Sequence, residues 1–129
     1  VDRHRAPMRR IEAFVRGLFG FLADSSGDLA YMALLAAEHQ RRARQRPAAV
    51  AAAVAPFVDL LAAELRAAHD AGLVRDGPPA RDAATVFQLV LSQLHPLVLG
   101  HSLDDPAETA AYLWRFVRAA ITPAKEVTS

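Results

Sequence analysis

The chain has 129 residues, 53% of them apolar and 22% charged, with a net charge of +1 and no cysteine. That length suits one domain with one core, burying on the order of two thirds of the surface its unfolded chain would expose. So small a net charge gives no overall field to gather nucleic acid or a membrane surface, and the lack of cysteine excludes disulfides, thiol catalysis and Cys-based zinc sites.

The opening VDRHRAPMRR leads into an amphipathic stretch and not into an uninterrupted apolar one, so no signal peptide is visible. The first residue is Val1, and the sequence is expected to be part of a longer protein or a trimmed form of one. From Met8 to Leu22 the apolar positions Met8, Ile11, Val15, Leu18, Phe19 and Leu22 fall at helical spacing, widened by Phe14 and Phe21, with Arg9, Glu12 and Arg16 on the wet side. Pro7 fits the first turn of such a helix, and DSSGD at 24–28 ends it and caps the next.

A second helix is predicted from about Asp28 to Gln45. Its first part, LAYMALLAA, is apolar on every side and should run through the interior. The EHQRRARQR that follows puts arginines at a helix C-terminus, where the macrodipole and free carbonyls favour them without any ligand. A third helix, about Ala48 to Ala71, places Val50, Val54, Phe57, Val58, Leu61, Leu65 and Ala68 on one stripe, and Pro56 inside it predicts a kink or break near Val54.

Gly72 can take the left-handed conformation that closes this helix, with Leu73 packing back on the last turn. Asp76 and the Pro78-Pro79 pair then launch a fourth helix, about Ala80 to Leu99. A fifth starts at DDPAET, with Asp105 as cap, Pro106 at the first position and Glu108 completing a capping box, and runs to about Ile121. The last eight residues, 122–129, are expected to fray. There is no internal repeat and no alternating strand pattern, so the fold class is all-α, a bundle of five helices in a single domain.

Between Asp82 and Asp104 there is no Asp, Glu, Lys or Arg, so the fourth helix has no ordinary solvated face. The run is short and interrupted by Gln88, Ser92, Gln93, His95 and Pro96, which argues against a membrane span. The fifth helix has a core stripe of Ala110, Leu113, Trp114, Val117 and Ile121, with Tyr112 and Phe116 off it. One small core cannot cover both sides of two terminal helices, and the economical solution is a twofold homodimer that pairs the last two helices with their copies. Leu91, Leu94, Val98, Tyr112 and Phe116 are the candidate interface residues.

No catalytic constellation is present: there is no phosphate loop, no nucleophile elbow and no pair of histidines at i, i+4 spacing, so neither an enzyme, a metal nor a cofactor is expected. A pocket is more plausible. Phe14, Phe21, Tyr31, Met32, Phe57 and Phe87 on inward faces can surround a small, mostly apolar or aromatic ligand, with Tyr31, Gln88 or His95 as polar groups; the alternative is that these side chains are plain core. The stripe of Thr85, Gln88, Ser92 and His95 either lines that pocket or hydrogen-bonds across the dimer seam.

The order of elements, with AAHDAGLVRDGPPARDAATVFQLVLSQL followed by DDPAETAAYLWRFVRAAI, resembles the C-terminal ligand-binding and dimerisation domain of TetR-family transcriptional regulators, over Met8 to Ile121. The resemblance implies that the last two helices form a four-helix bundle with a partner copy. It further implies a cytoplasmic repressor in which an effector controls DNA binding by an N-terminal helix-turn-helix module. That module is missing from this sequence, so VDRHRAP would be the remnant of the joining segment and this chain alone should not bind DNA. The alternative is a free-standing helical homodimer with a structural or protein-interaction role and no effector.

Overall fold

The computed structural model describes residues 5–24, 38, 41, 44–99 and 104–124. The fold is all-α, and no strand occurs among the described residues. Four helices are described from end to end: α1 (Ala6–Asp24), α2 (Pro47–Asp70), α3 (Pro79–Val98) and α4 (Pro106–Ile121). They correspond to the first, third, fourth and fifth predicted helices. Most of the predicted second helix lies outside the described residues; within it, Arg41 bridges Glu38 at 2.6 Å and donates to Gln45 at 2.9 Å. Among the described residues no helix is long and apolar enough to cross a membrane.

The helix α1 is the hub, packing against each of the other three. Its stripe at steps of four, Ile11, Val15 and Phe19, is wholly buried, and each such side chain contributes about 1.5–3 kcal/mol by leaving water. Opposite it stand Leu61 and Leu65 of α2, Val86 and Val90 of α3, and Leu113 and Val117 of α4. An Arg10–Glu64 ion pair at 2.7 Å ties α1 to α2 at the surface.

Of the kink or break expected near Val54, a break does not occur, since the helix α2 continues through Pro56. A proline leaves the carbonyl four residues back without its donor, here that of Ala52, and both Ala52 and Pro56 are exposed, so water can serve that carbonyl. Pro96 is accommodated likewise inside α3, four residues after the exposed Ser92.

The joint after α2 follows from its residues. Gly72 has φ +74°, the Leu73 amide donates to the Ala68 carbonyl at 2.8 Å and the Gly72 amide to that of His69 at 2.9 Å, the paired bonds of a Schellman closure. Leu73 packs back against the core. Pro79 opens α3 and Pro106 opens α4, and the Asp105 carboxylate accepts the Glu108 amide at 3.1 Å, the expected N-cap.

Candidate functional site

Three of the aromatic residues expected to line a pocket converge from three helices. The Phe87 ring of α3 lies 6.1 Å from that of Phe14 on α1, tilted by 48°, and 6.3 Å from that of Phe57 on α2, stacked within 18°. Both separations are within the range of favourable ring pairs. Phe87 is 8% exposed and Phe14 half-buried, whereas Phe57 is 55% exposed. The arrangement is a graded one: a seated ring, a neighbour behind it and a third ring lying over it and open to solvent on its far side.

The polar groups expected beside these rings are elsewhere. Gln88 is exposed and follows Phe87 directly, so it points about 100° round the helix from that ring. His95 lies eight residues further along α3, about 12 Å up the axis; it is partly buried and has an interaction of its own. Thr85 and Ser92 donate their hydroxyls to carbonyls of their own helix, Arg81 at 2.9 Å and Leu89 at 2.8 Å. The Phe21 side chain, Tyr31 and Met32 lie outside the described residues.

The residues expected at a dimer seam divide. Leu94 and Val98 belong to the core of the single chain, because residues 87, 90, 94 and 98 recur at steps of three and four and share the inward face of α3 with Ala83 and Val86. Leu91 is half-buried, and Tyr112 and Phe116, at 63% and 55% exposure, stand off the α4 core stripe. Arg115 lies over the Tyr112 ring at 6.0 Å. Beside them runs an open groove of about 550 Å³ lined by Gln93, Asp104, Glu108 and Tyr112.

A charged clasp at the α2–α3 joint was not read from the sequence. His69 Nε2 meets Asp76 Oδ1 at 2.5 Å, and Asp70 stands 3.9 Å from Nδ1. The hydrogen bond to Asp76 holds the His69 pKa above its ordinary value, with a smaller opposing effect from loss of water. Arg75 pairs with Asp82 at 3.1 Å and donates from Nε to the Ala120 carbonyl at 3.0 Å, while its amide donates to Ile121 at 2.7 Å. Glu64, five residues before His69, is engaged by Arg10 instead. The missed signal was Gly72, whose reversal of the chain brings a residue seven positions on back over the helix end.

Among the described residues no group of three His, Asp or Glu side chains could hold a metal ion. No family model, curated protein or solved structure matches this chain.

Proposed function

We propose that this chain is the effector-sensing and dimerisation domain of a TetR-like transcriptional regulator, working in the cytoplasm with a DNA-binding module outside this sequence. The observation that supports the sensor half is the ring group Phe14, Phe57 and Phe87, one ring from each of three helices, with Phe57 only half covered. A planar apolar molecule sliding between Phe57 and Phe87 would gain two ring faces and press α2 away from α3. Since α1 touches both helices, that displacement is felt by the helix nearest the upstream module.

The test is a melting screen of this chain against a chemically diverse panel of small apolar and aromatic molecules. A ligand at a hundredfold excess over Kd stabilises the fold by about 2.7 kcal/mol. Phe57→Ala should abolish most of a ligand-induced shift while lowering ligand-free stability little, because the ring is already half in water. A panel without a hit would remove the sensor reading and leave the interaction-module alternative.

The dimer half is supported by Tyr112 and Phe116, large apolar side chains left exposed side by side on α4. Sedimentation should give twice the monomer mass, and Phe116→Glu should return it to one, since an ion forced into an apolar seam costs several kcal/mol. A well-folded wild-type monomer at micromolar concentration would overturn this half alone.

A further inference from the structure

A second groove, of about 380 Å³, lies between the start of α1 and the end of α4 and has no part in the ring group. Its apolar lining comes from Met8, Leu73 and Trp114: Trp114 is buried, while Met8 and Leu73 are half-buried and packed on the core. Arg5, Arg9 and Arg118 line it as well, against one carboxylate, Glu12, which is engaged by Arg16 at 2.8 Å. Among the described residues neither Arg9 nor Arg118 has an ion-pair partner. The first turn of α1 carries no acidic residue, so the positive end of its macrodipole adds to the guanidinium charge.

An apolar floor under the Arg9 and Arg118 guanidiniums is complementary to a molecule that is itself two-ended. We infer that this groove binds a small amphipathic anion, an organic carboxylate or sulfonate with an alkyl or aromatic body. The anionic head meets Arg9 and Arg118, whose planar donor forks suit a carboxylate, and the body lies over Met8, Leu73 and Trp114. The volume falls in the range of small-molecule sites. This assignment does not rest on the effector reading, since it shares no residue with the ring group.

Trp114 is the single tryptophan of the chain, so its emission reports on the groove directly. Titration with sodium octanoate should change Trp114 fluorescence saturably, and 1-octanol, which has the body without the charge, should bind about tenfold more weakly or worse. Arg9→Gln with Arg118→Gln should weaken octanoate by a similar factor; both side chains are exposed, so the fold is retained. Arg66→Gln, an exposed arginine outside the groove, should leave octanoate affinity unchanged. Phe57→Ala should also leave it unchanged, which separates this site from the proposed sensor. No saturable response, equal affinity for octanol, or indifference to the double substitution would each overturn the assignment, and so would loss of octanoate binding in Phe57→Ala.

Discussion

At the scale of single residues, Gly72 and His69 carry the turn that reverses the chain after α2. A Cβ at Gly72 would meet no atom within 4 Å, so the cost of Gly72→Ala is the backbone's alone. A left-handed conformation in a residue with a side chain costs about 1–2 kcal/mol, and denaturant unfolding should register a loss of that size with the slope unchanged. His69 acts through protonation. Its folded pKa is raised by Asp76, so its contribution is present in full below the ordinary imidazole pKa and is lost as pH rises through the higher folded value. Stability measured across mildly acidic to mildly basic pH should therefore contain a fall that His69→Gln removes, and an NMR titration of the imidazole should place its midpoint above that of an unfolded peptide. A midpoint at or below the peptide value would refute the clasp.

At the scale of elements, the helices were legible because their causes are local. Pro47, Pro79 and Pro106 each open a helix at its first turn, Gly72 closes one, and Asp105 caps α4, so periodicity and punctuation agreed. Asp105→Ala should destabilise the fold by about 1 kcal/mol through the freed Glu108 amide, measured as a lower melting temperature, with Asp105→Asn close to wild type. Side chain placement was less legible, and for a reason that α3 makes plain. After Asp82 the helix carries no charged residue to mark its outside, so the seam and the core could not be told apart until Leu94 and Val98 were found buried within one chain. Phe57 failed in the opposite sense: its position on an apolar stripe with Leu61 and Leu65 predicts cover, yet its ring remains half open because what it stacks on is another ring at the edge of the core.

At the scale of the whole molecule, the candidate sites depend on residues far apart in sequence. The ring group joins residues 14, 57 and 87, and the amphipathic groove joins the two ends of the described chain; neither pattern is periodic, and no single stretch announces either. The clasp is of the same kind. Arg75 sits between α2 and α3, but its amide is held by the carbonyl of Ile121 at the end of α4. One consequence concerns hydrogen exchange. An amide in a connecting turn ordinarily trades its proton with solvent at nearly the rate of an open chain, because local fluctuation alone uncovers it. The Arg75 amide is instead expected to exchange only when the last turn of α4 lifts from the joint, in step with the Val117 amide in the preceding turn. A single proton in the turn thus times the release of the final helix, and exchange at Arg75 far faster than at Val117 would show that the two come apart.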